Sequence, residues 1–188
     1  TYSSAGMYWA DTILSADGVS ADGLTSTLLA LSTLTSLSTA FNDNWTGTNI
    51  HTITATNGGR IDLSGLIEVD PPARAEDYVR FTLNDDRSTI DLTSLQTIAI
   101  GGGRTQFVLS DSAVQHLPAL TTMGDVEFTL SGGAQLDVRG SGATYSSAGM
   151  YWADTILSAD GVSSDGLTPT LLDLSTLTSL STAFNDNW

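Results

Sequence analysis

At 188 residues, with 21 acidic side chains against six basic ones, the chain carries a formal net charge of −15 and contains no cysteine. Such a surface excludes nucleic acid and anionic membranes as natural partners, because both are held by cationic side chains. The missing thiols exclude a disulfide frame, a thiolate metal site and a cysteine nucleophile.

The first 45 residues, Thr1 to Trp45, return at 144–188 with three differences: Ala21 becomes Ser164, Ser26 becomes Pro169 and Ala30 becomes Asp173. The repeating unit is therefore 143 residues, with 1–143 one full unit and 144–188 the start of the next. This is the pattern expected of a segment from a longer array in which each unit is continued by its neighbour. Both terminal copies carry aspartates and no cation, while Arg60, Arg74, Arg80, Arg87, Arg104 and Arg139 all lie between them. The stretch TILSADG leaves room for one short helix. No run of about eighteen apolar residues occurs, so membrane insertion is not expected.

In chain order, a second and shorter period then appears. ITATNGGRIDLSGLIEV at 53–69, FTLNDDRSTIDLTSLQTI at 81–98, FVLSDSAVQHLPALTTM at 107–123 and FTLSGGAQLDV at 128–138 each read as strand, short polar turn and second strand. The first strands are anchored by Ile53, Phe81, Phe107 and Phe128, each followed two residues later by Ala or Leu, the alternation of a strand with one buried face. The second strands align on Leu31, Leu63, Leu92, Leu117, Val138 and Leu174, which places five coils in one 143-residue period. In most copies this anchor opens a Leu-x-x-Leu-x-x-apolar run, as in Leu63, Leu66 and Val69 or Leu92, Leu95 and Ile98. From the end of that run to the next first-strand anchor the separation falls from 16 to 12, 9 and 5 residues, so length variation is confined to one corner.

This coil motif resembles the parallel β-solenoid (β-helix) proteins with long tandem repeats found on bacterial surfaces and fibres. The resemblance implies an all-β, right-handed stack of coils with parallel strands between neighbours. The chain lacks the GGxGxD calcium nonapeptide and a strict hexapeptide, so the ligands of those subfamilies are not implied. A leucine-rich-repeat-like solenoid is the alternative, because Leu92-x-x-Leu95-x-x-Ile98-x-Ile100 matches the start of that motif. The abundance of Thr, Ser, Gly and Asp argues against its helical side.

Stacking turns equivalent positions into columns. The residues before the second-strand anchors are Ala30, Asp62, Asp91, His116, Asp137 and Asp173, an outward column in which Asp91, His116 and Asp137 form a candidate metal or proton site. The plainer reading is a solvated acidic row in which histidine relieves repulsion. Asp17 and Asp22, each followed by glycine, are candidate calcium ligands, although Asp-Gly is foremost a tight-turn dipeptide. Gly101-Gly102-Gly103-Arg104 lacks the GK[ST] continuation of a phosphate loop and reads as a flexible corner. Tyr8, Trp9 and Trp45, with their copies Tyr151, Trp152 and Trp188, read as packing at the junction between units or as a sugar-stacking surface.

No catalytic constellation emerges: neither His51 nor His116 has a nucleophile elbow or metal-ligand spacing around it. The expected function is structural, a fibre- or stalk-forming protein outside the cell or on its surface, whose partners are copies of itself joined end to end. An adhesin that takes glycans on loops 38–52, 70–80 and 99–106 is the alternative. A polysaccharide-active β-helix enzyme is disfavoured by the absence of lysine and the scatter of the arginines. No cofactor is expected apart from the calcium considered above.

Overall fold

The computed structural model describes residues 2–3, 12–20, 23, 25–39, 47–147 and 157–182. A short strand β1 (Tyr2–Ser3) is followed by β2 (Thr12–Asp17), β3 (Leu28–Ala30) and β4 (Ser36–Ser38). The same three-strand succession recurs as β5 (Ile50–Thr56), β6 (Arg60–Asp62) and β7 (Glu68–Asp70), then β8 (Tyr78–Leu83), β9 (Thr89–Asp91) and β10 (Thr97–Ile98). It continues as β11 (Arg104–Leu109), β12 (Val114–Leu117) and β13 (Thr122–Gly124), and as β14 (Val126–Ser131), β15 (Gln135–Val138) and β16 (Ala143–Ser147). The described chain closes with β17 (Leu157–Asp160), β18 (Leu171–Asp173) and β19 (Leu177–Thr182).

Strands pair only with strands three places away, always in parallel, so the chain is all-β with stacked sheets and no helix among the described residues. The first face is the six-stranded sheet β2-β5-β8-β11-β14-β17, and the third is the seven-stranded sheet β1-β4-β7-β10-β13-β16-β19. The second face is split into β3-β6-β9 and β12-β15-β18. A parallel ladder needs a long return connection, and here the two intervening strands supply it. The arrangement is compatible with a β-solenoid. TILSADG, where a short helix was allowed, is the strand β2 in the first copy.

The anchors fall into register as columns. On the first face Ile53, Phe81, Phe107 and Phe128 are successive partners, flanked by Leu14 and Leu157. The phenylalanine rings stack at 5.1 and 5.5 Å between centroids, an offset arrangement that adds to the burial of their area. Leu63, Leu92, Leu117 and Val138 are likewise buried. The third face aligns Leu37, Val69, Ile98, Met123, Tyr145 and Leu180.

The Leu-x-x-Leu run is a tight turn. The amide of Leu66 donates to the carbonyl of Leu63 at 2.8 Å, and Leu34, Leu95 and Leu177 bond Leu31, Leu92 and Leu174 in the same way. Both leucines point inward and the turn leads directly into the third strand. Reading each coil as two strands therefore missed one, because strands of two to six residues such as β7, β10 and β13 are mostly too short to display a period of two.

Candidate functional site

The acidic column lies where the alignment places it, with Asp62 beside Ala30 and Asp91, and Asp137 beside His116 and Asp173. Its chemistry is first that of the turn. Asp62 Oδ1 accepts the amide of Ser64 at 3.0 Å, Asp91 that of Thr93 at 3.0 Å and Asp173 that of Ser175 at 2.9 Å. These are Asx turns, in which a short carboxylate replaces a backbone acceptor. The hydroxyl and amide of Ser64 hold Asp62 below the usual carboxylate range, and those of Ser175 do the same for Asp173. The difference between the two terminal copies at Ala30 and Asp173 thus adds a turn-closing carboxylate to the second copy.

Two members depart from this pattern for a covalent reason. Two residues after His116 stands Pro118, which has no amide proton to give. Two residues after Asp137, the Arg139 amide is already committed to the Leu117 carbonyl at 3.1 Å. Asp137, nearly buried, turns instead to His116 Nδ1 at 2.6 Å and Arg139 Nε at 3.2 Å. The structure thus joins His116 to Asp137 and leaves Asp91 outside that pair, since β9 and β12 form no ladder. No group of three or more potential ligands among the described residues is placed to hold a metal.

At the interrupted face the inward column runs Leu29, Ile61, Ile90, then Gln115, Leu136 and Leu172. In the intact ladder the amides of Leu31 and Leu63 bond the carbonyls of Asp62 and Asp91 on the following coil. At the break the equivalent acceptor, the His116 carbonyl, takes its bond from the side chain of Gln115 at 3.0 Å. The preceding corner carries two consecutive left-handed residues, Asp111 at φ 52° and Ser112 at φ 65°. The result is a cleft of about 190 Å³ between Asp91, Thr93, Val114 and His116, with a second hollow of about 160 Å³ beside Arg60 and Asp62. The polar Gln115 at an inward position was the signal in the sequence for this break.

On the outer side of the first face a hydrogen-bonded row crosses three coils. Arg80 Nε donates to Gln106 Oε1 at 2.8 Å, Gln106 Nε2 donates to Glu127, and Glu127 is paired with Arg104. Arg104 also lies over the Tyr78 ring at 5.3 Å. Arg104 and Glu127 are almost solvent-excluded, and the phenol of Tyr145 lies near them, donating to the Val126 carbonyl at 2.7 Å. Burial pushes the Tyr145 phenol well above its usual range, with Asp125 and Glu127 adding to the effect. Arg80, Gln106 and Glu127 each stand one residue before the aligned anchors Phe81, Phe107 and Phe128, which was the signal in the sequence for this row.

At the described Asp-Gly dipeptides, Asp17 and Asp160 end their strands and Asp165 lies in a turn. Gly18, Gly161 and Gly166 have φ of 81°, 80° and 73°, a region glycine enters freely. Asp17 Oδ1 accepts from the Thr56 hydroxyl at 2.6 Å and from Asn57 Nδ2 at 2.8 Å, and these bonds hold it below the ordinary carboxylate range. Asp22 lies outside the described residues, as do Tyr8, Trp9, Trp45, Tyr151, Trp152 and Trp188. The glycine corner at 101–103 lies against the 71–77 corner of the previous coil. A Cβ on Gly102 would lie 1.8 Å from the Ala73 carbonyl oxygen, so only glycine lets the two corners approach.

The two copies of the duplicated segment differ in cover among the described residues. Leu37 is 0% exposed under Val69, while its duplicate Leu180 is 52% exposed beside Tyr145. Ala16, buried at 1%, has an exposed duplicate in Ala159. The register is conserved to the residue: Tyr2 pairs with Leu37 as Tyr145 pairs with Leu180, and Ser3 with Ser38 as Ser146 with Ser181. Comparison with known protein families, curated proteins and solved structures finds no match to this chain.

Proposed function

We propose that the protein is a structural, fibre- or stalk-forming module that lengthens by end-to-end continuation of a closed, right-handed β-solenoid. Each 143-residue unit contributes five coils and, at the ordinary spacing of paired strands, advances the tube by about 24 Å. The handedness follows the general rule for parallel crossovers. The observation that supports the reading is the register shared by the two copies, Tyr2 with Leu37 and Ser3 with Ser38 as Tyr145 with Leu180 and Ser146 with Ser181, so the duplicated segment takes the same place in the ladder both times. A coil end is a row of unpaired backbone groups above an open apolar core, and continuation by the same repeat satisfies both. The acidic, lysine-free surface supports a place outside the cell or on its surface, where it keeps neighbouring tubes apart.

The test is a series of chains carrying one, two and three 143-residue units, each closed by the 144–188 segment, measured by small-angle scattering. The maximum dimension is expected to grow by about 24 Å per added unit at constant cross-section. Growth in girth, or units that tumble independently, would overturn the reading.

A further inference from the structure

We infer that the cleft at the interruption of the second face is a binding site for a neutral saccharide, with one pyranose ring seated between β9 and β12. The site goes beyond the continuation reading and does not depend on it.

At this coil junction the first and third faces keep their ladders, β8 with β11 and β10 with β13. Among the described strands of successive coils, only β9 and β12 are parted. The parting goes with two features that a plain tube has no use for: Gln115 at an inward position, and left-handed Asp111 and Ser112 at the corner before β12. Residues other than glycine enter that region at a cost in stability, and such strain gathers at ligand sites. Because Pro118 offers no amide, the side chain at position 116 is also not consumed by a turn.

The apolar part of the lining is Ile90, Leu92 and Val114. Its polar part presents both donors and acceptors. Arg60 Nε donates to Thr89 Oγ1 at 3.3 Å, which leaves the threonine hydroxyl proton and the Arg60 Nη groups as donors. Asp91 uses Oδ1 for the Thr93 amide at 3.0 Å and keeps Oδ2 as an acceptor. Gln115, only 4% exposed, gives Nε2 to the His116 carbonyl and keeps Oε1. His116 meets Asp137 through Nδ1 and keeps Nε2.

A pyranose has the matching surface: C–H faces that cover apolar side chains, and a rim of hydroxyls that each donate and accept. The cleft, at about 190 Å³, is smaller than the ~300 Å³ at which sites for drug-sized ligands begin, which is the scale of a single ring. The second hollow shares Arg60, Thr89 and Asp91 with it, so a disaccharide spans both. Asp62, Asp91 and Asp137, in a chain of net charge −15, repel uronates and sulfated sugars and so select neutral rings.

The experiment adds glucose, galactose, maltose, glucuronate and glucosamine in turn to the 188-residue chain and follows the Val114 methyl and Gln115 carboxamide signals by NMR. Glucose or galactose is expected to shift both with a Kd of about millimolar order, maltose to bind several-fold more tightly and glucuronate not at all. Gln115→Leu, which closes the cleft, is expected to abolish the Val114 shift. Asp91→Asn keeps a carbonyl for the Thr93 amide but puts a donor where Oδ2 was, and is expected to weaken binding several-fold with the fold intact. Asp173→Asn, the same change in a turn away from the cleft, should leave binding unaltered. No shift with any neutral sugar overturns the site, and so does a shift that survives both Gln115→Leu and Asp91→Asn. Glucuronate bound as tightly as glucose, or glucosamine bound alone, overturns the selection of neutral rings, and maltose bound no more tightly than glucose overturns the seating of a second ring.

Discussion

Tyr145 is where the third-face column Leu37, Val69, Ile98, Met123 changes from aliphatic to aromatic, and its hydroxyl must find an acceptor because almost none of the residue reaches solvent. The Val126 carbonyl supplies it. A buried phenol whose folded pKa lies above its unfolded value of about 10 stays neutral while the unfolded chain ionises. Between those two values the unfolded state binds fewer protons, so stability is intact below pH ~10 and falls as pH rises beyond it. Tyr145→Phe is expected to lower stability at neutral pH by about 1 kcal/mol through the lost hydrogen bond and to flatten the alkaline decline. Urea titrations of both proteins between pH 8 and 11 check this, and parallel alkaline slopes would remove Tyr145 as their source.

At the scale of elements, corners are as specific as strands. The corner between β8 and β9 is organised by Asp85, which burial pushes upward but whose pKa is brought below the usual range by the Ser88 hydroxyl and the amides of Arg87, Ser88 and Gly58. Its Oδ1 accepts Arg87 N at 2.8 Å and Ser88 N at 2.7 Å, while Ser88 Oγ receives the Gly58 amide at 3.0 Å and so ties this corner to that of the previous coil. A depressed carboxylate contributes stability that is present above its unfolded pKa of about 3.9 and is lost as pH falls through the folded value. Asp85→Asn is therefore expected to weaken the fold at pH 7 and to shrink its loss of stability between pH 4 and 2, read by circular dichroism. An unchanged acid transition would show that the corner does not carry it.

The interrupted face gives a second expectation at this scale. Gln115→Leu completes the apolar column and frees the His116 carbonyl for the Leu92 amide, which should then exchange with solvent several-fold more slowly. If that amide stays fast, the left-handed residues Asp111 and Ser112 set the break by themselves. Elements differed in how far the sequence disclosed them. The phenylalanine strands and the leucine anchors were legible because six or seven residues of alternation, repeated coil after coil, fix both face and register. The third strand was hidden inside a turn, and its spacing of three mimics a helical stripe. The carboxylate column was legible as a column, but its role as a set of Asx turns needed the position of the amide two residues on. The row from Arg80 to Arg104 was missed although Arg80, Gln106 and Glu127 each stand one residue before an aligned phenylalanine, because side chains of three different types in one column form no motif.

For the whole molecule the governing quantity is charge laid along an axis. The formal charge of −15 is spread over coils whose neighbouring strands lie about 4.8 Å apart, so carboxylates such as Asp62 and Asp91 face each other across every ladder step they share. Turn amides neutralise one lone pair of each and leave the remaining repulsion to solvent. Screening lengths of about 10 Å at 0.1 M salt and about 3 Å at 1 M straddle that spacing. Added sodium chloride should therefore relieve the long-range share first and reach adjacent coils only near molar concentration. The melting temperature is expected to rise in two stages with salt, measured by calorimetry at pH 7, and Asp62→Asn should remove most of the second. A single early plateau, or a fall in melting temperature, would mean that the turns have already absorbed the repulsion between coils, and that the acidity acts only between molecules.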